Sequence, residues 1–249
     1  QDMLAFAETR RRLALWAGMG VGKTPVTLSI MNDSMVNRYE THRWLVACPT
    51  MVAHDTWPRE AAKWRNLQHL APMMRRIGFA DLGLEPGVTV ENLQTGDEED
   101  KKYSEITTED RDEKRFKIRK GALVFRDRAA TKKHLMSFPE RIHIVAYEAL
   151  QHVVRGLGST HHYEGFVPDE VTFLANKMTM TFRAARHLAG TLGVERLIEL
   201  TGSPMADDYE ELFGQLYLID EGARLGPTLK EWRRRWCMPD KMNAKTGRN

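Results

Sequence analysis

Short apolar runs recur along the chain, separated by stretches with helical periodicity. Leu13–Trp16 and Trp44–Cys48 read as buried strands, with Thr24–Met35 and Val52–Trp64 as the helices that follow them. Ile142–Ala146, Phe166–Val167 and Leu197–Leu200 read as further strands, and Lys177–Leu188 and Tyr209–Leu218 as further helices. Nearly continuous apolar strands alternating with helices pair in parallel through crossovers and are covered on both faces. The pattern predicts an α/β lobe, a mostly parallel sheet with helices on both sides.

Between about residues 66 and 140 the alternation breaks down. The stretch "GDEEDKKYSEITTEDRDEKRFKIRKG" is dense in both signs of charge and poor in large apolar residues. It predicts a solvated, partly mobile insertion rather than a folded domain. Its basic end, Lys114–Lys120 with Arg126, Arg128, Lys132 and Lys133, has the charge to meet a polyanion, although such runs are more often wetted surface. No internal repeat of solenoid period is present.

Composition adds limits. Of 249 residues 42% are hydrophobic and 29% charged, the balance of an ordinary globular protein with a sizeable core. No apolar run reaches the ~20 residues of a membrane helix, and no signal peptide precedes the first apolar segment, so no membrane partner is expected. The net charge of +3 (37 Lys+Arg against 34 Asp+Glu) leaves nucleic acid open, because a local basic groove matters more than the total. Cys48 and Cys237 lie too far apart in sequence to suggest a disulfide framework or metal cluster, which fits a reducing cytoplasm. Opening at Gln1 and closing on "NAKTGRN", the chain reads as a fragment of a longer protein.

The chemistry starts at "LALWAGMGVGKTPVTL". Ala17, Gly18, Met19, Gly20, Val21, Gly22, Lys23 and Thr24 follow the P-loop pattern of a small residue, four of any kind, then Gly-Lys-Thr. Glycines let successive N–H groups turn toward one anion, and the helix that follows adds its positive dipole end. Lys23 would reach the β- and γ-phosphates, and the Thr24 hydroxyl would bind Mg²⁺. Pro25 is tolerated because the first helical turn needs no N–H from it. The motif alone suits kinases, GTPases, transporters and helicases equally.

"GFVPDEVT" supplies the acids such a site needs at the end of a neighbouring strand. Asp169 is the candidate Mg²⁺ ligand, and Glu170 the general base that polarises the attacking water. An Asp-Glu pair alone is more often an exposed helix start. Pro168 removes a ladder donor, so the strand must end before it or be distorted there.

With both elements in place, the chain resembles the first motor lobe of a superfamily-two helicase of the Swi/Snf type, closest to phage and bacterial members. The likeness runs over most of the chain outside the insertion. "WLVACPTMVAHDTWPREAAKW", with Trp57, Glu60 and Trp64, resembles the motif after the P-loop, and "IHIVAYEAL" one that usually reads Ser-Tyr-Glu. "LIELTGSPMADDYEELFGQLYLID" resembles the segment linking nucleotide state to DNA, and "IDEGARLG" the exit segment of phage members. The resemblance implies a RecA-like lobe over residues 1–220 and, from 221, the start of a linker toward a second lobe. It implies ATP and Mg²⁺ as cofactors, with Gln1 reading adenine. Thr201, Gly202, Ser203 and Pro204 are the coupling residues it implies. Pro49, Thr50 and Tyr147 would lie on the nucleic-acid side, though Tyr147 suits a capping or core role as well. The implied partner is DNA, duplex ahead of single strands, with RNA still open; the implied setting is the cytoplasm of a bacterial or phage-infected cell.

Several positions depart from the family. Val171-Thr172 replaces the frequent Ala-His, removing the histidine that links acids to coupling segment; Ala175 replaces a lysine before Asn176, and Asp207 an asparagine. These changes keep open a degenerate ATP- or nucleic-acid-binding module beside the motor. A kinase or small GTPase would leave residues 201–204 unexplained. Trp16, Trp44 and Trp64 read as core or staple residues, and Arg233–Arg235 as a solvated helix face. His161 and His162 have no partners at metal spacing.

Overall fold

The computed structural model describes residues 2–158, 163–191, 193–205 and 209–236. In chain order its elements begin with α1 (Asp2–Glu8), β1 (Arg12–Trp16), α2 (Lys23–Asn32), β2 (Trp44–Cys48) and α3 (Thr50–Lys63). Next come β3 (Met74–Ile77), β4 (Leu84–Asn92), β5 (Glu98–Lys102), β6 (Phe116–Phe125) and α4 (Arg128–Ser137). The chain continues through β7 (Ile142–Ala146), α5 (Tyr147–Leu157), β8 (Gly165–Pro168), α6 (Met180–Arg186), β9 (Arg196–Thr201), α7 (Glu211–Asp220) and α8 (Leu229–Trp236). Gln1, His161, His162, Asp207, Cys237 and the tail "NAKTGRN" lie outside the described residues.

The chain divides into two compact units. The larger is built on a six-stranded sheet of order β1-β9-β8-β2-β7-β3, with every adjacent pair parallel. One side of the sheet carries Leu13, Leu15, Val46, Cys48, Ile144, Val167, Ile198 and Leu200, packed with Leu28 and Met31 of α2 and Ala53, Trp57 and Ala61 of α3. Alternation along the strands sends Phe166, Leu197 and Thr201 to the opposite side. The α/β class and the five strands read from apolar runs are therefore present. β3 is an addition: its sequence MRRI buries only Ile77 and offers no apolar run, because it is an edge strand.

Pro168 lies inside β8, a central strand. Its register pairs it with Ala47 of β2, and the next residue continues that side by Asp169 N–H donating to Ala47 O (2.7 Å). The cost falls on the other side. β8 pairs with β9 at Gly165–Arg196 and Phe166–Leu197, and contact resumes only at an isolated Asp169–Leu200 bridge. By that register the lost N–H would have met the Ile198 carbonyl. The strand is distorted at the proline, not ended before it.

The second unit, residues 78–138 with 155–158, is a folded body where the sequence predicts a solvated, partly mobile insertion over about residues 66–140. It holds an antiparallel sheet of order β5-β4-β6, with α4 Asp127-capped at its start. Val88, Val90 and Val124 supply buried apolar positions, few enough to be lost among the charges in sequence. Those charges are largely paired: Lys101 with Asp110 (2.9 Å), Arg155 with Asp100 (2.9 Å), and Arg119 with Glu98. Gly121, at φ 99°, is the extra residue of a bulge opposite Gly87 and Val88. Among the described residues no helix is long and apolar enough to cross a membrane.

Candidate functional site

Because β1, β9, β8 and β2 run parallel, the loops after them leave one rim of the sheet. β9 lies between β1 and β8, so the loop after β1 and the acids after β8 are two strand spacings apart, roughly 10 Å. A triphosphate and its metal span such a gap.

After β1, Gly20 (φ 75°) and Gly22 (φ 92°) adopt left-handed backbone, which glycine takes without steric cost. Gly22 precedes α2, which starts at Lys23. Lys23 Nζ donates to the carbonyls of Ala17 (2.5 Å) and Gly18 (2.9 Å), folding its charge back into the loop. Thr24 stands in the first turn beside it. The exposed tips are Met19 and Val21.

After β8, Asp169 and Glu170 are held by different means. The indole N–H of Trp57, a fully buried residue of α3, donates to Asp169 Oδ2 (3.1 Å), and the Tyr147 hydroxyl donates to the Asp169 carbonyl (2.9 Å). Burial pushes the Asp169 carboxyl up to about 6, and the Glu170 charge adds to this, while the Trp57 hydrogen bond and the Lys23 charge pull it down. The influence of Lys23 ties the P-loop electrically to the acids. Glu170 sits in left-handed backbone (φ 59°, ψ 60°), a conformation costing a non-glycine residue about 1–2 kcal/mol. Its Oε1 accepts the Thr201 hydroxyl (2.6 Å) and, on a longer bond, the Thr172 hydroxyl (3.3 Å).

The segment after β9 closes the group. Thr201 is fully buried, its Oγ1 accepts from Ser203 N–H (3.1 Å), and its carbonyl accepts from Ala17 N–H (3.1 Å). A Cβ on Gly202 would lie 3.6 Å from the Met19 side chain, so this segment lies directly against the P-loop. The Pro204 carbonyl accepts from the buried Gln215 of α7 (2.7 Å). Gly18–Thr24, Asp169, Glu170 and Thr201–Pro204 thus converge on one rim.

The residues expected toward nucleic acid divide. Pro49 caps α3, and exposed Thr50 donates to Glu148 Oε2 (2.8 Å), both at the same rim. Tyr147 is 3% exposed and covered by Phe173, stacked at 5.3 Å between ring centroids. Its place is beneath the acid loop, its hydroxyl on the Asp169 carbonyl and its ring behind Phe173. Trp44 is core, whereas Trp16 (36% exposed) and Trp64 (47%) are not. Arg233 of α8 is bound to Glu210.

The SNF2-related domain model matches residues 7–248. The chain belongs to the SNF2-related domain family. Its RecA-like lobe is also similar in fold to two solved structures from Sulfolobus solfataricus. One is the SWI2/SNF2 ATPase core in complex with dsDNA (TM-score 0.61, 19% identity, covering 100% of this chain and 39% of that one). The other is the SWI2/SNF2 ATPase core domain (TM-score 0.55, 20% identity, 98% of this chain and 38% of that one). A protein designated p41, from Acyrthosiphon pisum secondary endosymbiont phage 1, is 27% identical over 233 residues, covering 91% of this chain. The chain spans 39% of that relative's length.

Within this SNF2-related lobe, the sequence reading noted Trp57 only as part of a motif and Thr172 only as a missing histidine. Both touch the acids. The indole reaches its carboxylate from a distant helix and leaves no spacing signal, whereas the Thr172 hydroxyl is local and depends on the conformation of the turn.

Proposed function

We propose that this chain is the nucleotide-binding lobe of a DNA-dependent ATPase that couples ATP hydrolysis to movement along DNA. The observation that carries the reading is the bond from Thr201 to Glu170, which joins the candidate base to the segment lying on the P-loop.

In this reading the amides of residues 18–22 cradle the phosphates, and Lys23 exchanges its loop carbonyls for β- and γ-phosphate oxygens. The Thr24 hydroxyl and Asp169 carboxylate are hard oxygen donors that suit Mg²⁺, with Asp169 oriented by Trp57. Bound there, the metal supplies charge neutralisation at the phosphate oxygens. Glu170 takes a proton from water as the water oxygen attacks the γ-phosphorus. The bond from that phosphorus to the bridging oxygen breaks, and ADP leaves with its electron pair. An arginine from a second lobe of the longer protein would stabilise the transition state. Pro49 and Thr50 would face a nucleic-acid backbone from the same rim. Duplex DNA is favoured because a fold relative is described in complex with dsDNA. A bacterial or phage-infected cytoplasm suits the phage relative.

The test is steady-state ATP hydrolysis by the longer protein, with and without duplex DNA. Glu170→Gln is expected to lower kcat by about 10²–10⁴-fold, the typical worth of a general base. Lys23→Ala is expected to weaken nucleotide binding as well. Equal rates in wild type and both variants would instead describe a binding module that does not hydrolyse ATP.

A further inference from the structure

We propose that Thr172 is a positioning residue for Glu170, acting with Thr201 as a two-hydroxyl clamp on a single carboxylate oxygen. The inference rests on the ATPase reading above.

Both hydroxyls donate to Oε1 of Glu170, Thr201 at 2.6 Å from the end of β9 and Thr172 at 3.3 Å from the turn after β8. The shorter bond grips; the longer one approaches from the chain's own next turn and resists rotation about the carboxylate axis. Glu170 is held in left-handed backbone between them, so its side chain leaves the chain in one direction. No side-chain partner of Oε2 occurs among the described residues, which leaves that oxygen to take the proton. Thr201 in turn accepts the Ser203 N–H, giving a continuous path from Ser203 through Thr201 and Glu170 to Thr172.

Thr172 stands where related enzymes often carry histidine. Here the connection from Glu170 to the segment after β9 is made by the Thr201 hydroxyl, and Thr172 adds a second bond to the same oxygen from within the acid loop. Threonine suits this task because its β-branch restricts χ1 and holds the hydroxyl in place, which serine does less firmly. A hydroxyl that orients the base without touching nucleotide should act on the chemical step and leave ground-state binding alone.

The experiment compares wild type, Thr172→Ala, Thr172→Ser and Glu170→Gln in the longer protein. It measures kcat and KM for ATP, the affinity for a fluorescent ATP analogue, and thermal melting. Expected for Thr172→Ala is a loss of about three- to tenfold in kcat, the scale of one ordinary hydrogen bond, with KM, analogue affinity and melting unchanged. Thr172→Ser should recover most of that loss. Unchanged kcat in Thr172→Ala, or a fall in analogue affinity or melting matching the fall in kcat, overturns the proposal. So does a serine variant as slow as alanine. Glu170→Gln separates the levels: if it is slow while Thr172→Ala is not, only the clamp fails. If Glu170→Gln turns over like wild type, the ATPase reading fails and takes the clamp with it.

Discussion

Glu199 is fully buried on β9, and neither of its carboxylate oxygens has a hydrogen-bond partner among the described residues. Burial and the nearby Asp220 charge hold its carboxyl well above the usual carboxylate range. A carboxyl whose folded pKa exceeds its unfolded one contributes stability at low pH. That contribution is lost as pH climbs from the ordinary carboxylate range through the raised native value. Glu199→Leu is therefore expected to stabilise the lobe by about 1–3 kcal/mol at neutral pH, the penalty of an unpaired buried polar group. The gain should shrink toward pH 4, and chemical denaturation at several pH values measures it. Nothing in "RLIELT" announces this burden: a single acid among apolar residues reads equally as a strand's solvent edge. That Lys23, Asp169 and Glu170 follow strand ends was legible from local sequence pattern, and Thr201 entered only through the family resemblance. Trp57 was not, because its bond to Asp169 is made across the fold, and Thr172 was not, because its local bond depends on how the turn after Glu170 folds.

Among the elements, β8 depends on a residue with no side chain. A Cβ on Gly165 would lie 2.1 Å from the ring of Trp44, which is itself completely buried. The indole occupies the space beside the strand, and its N–H donates to Thr41 (3.0 Å), so it cannot swing away cheaply. Gly165→Ala is expected to cost about 3 kcal/mol or more, above the usual range for one added methyl in a core. Urea denaturation would show it, and an unchanged midpoint would contradict the close contact. The strands with continuous apolar runs could be read in advance because they are buried on both sides. β3 could not, being an edge, and β4, β5 and β6 could not, because paired charges on a small sheet look like solvated sequence until their partners are known.

For the whole molecule, the parallel order β1-β9-β8 is what brings Gly18–Thr24, Thr201–Pro204 and the Asp169-Glu170 pair to one rim. On the reading proposed above, that rim is half of a catalytic cleft. The 249-residue piece alone is expected to bind ATP weakly and to hydrolyse it at least ~10³-fold more slowly than the longer protein with DNA, the scale of a missing arginine. Comparable DNA-stimulated rates from the two would refute the two-lobe scheme. The proline in β8 bears on how such a machine would transmit force. Parallel strands resist sliding because each step tears bonds along their whole length, yet the ladder between β8 and β9 is interrupted between Phe166 and Asp169. Glu170 and Thr201 stand on opposite sides of that gap, joined by the Asp169–Leu200 bridge and by their own side chains. On that reading, the hydroxyl bond from Thr201 to Glu170 carries a larger share of the link between the two strands than an uninterrupted ladder would leave to it.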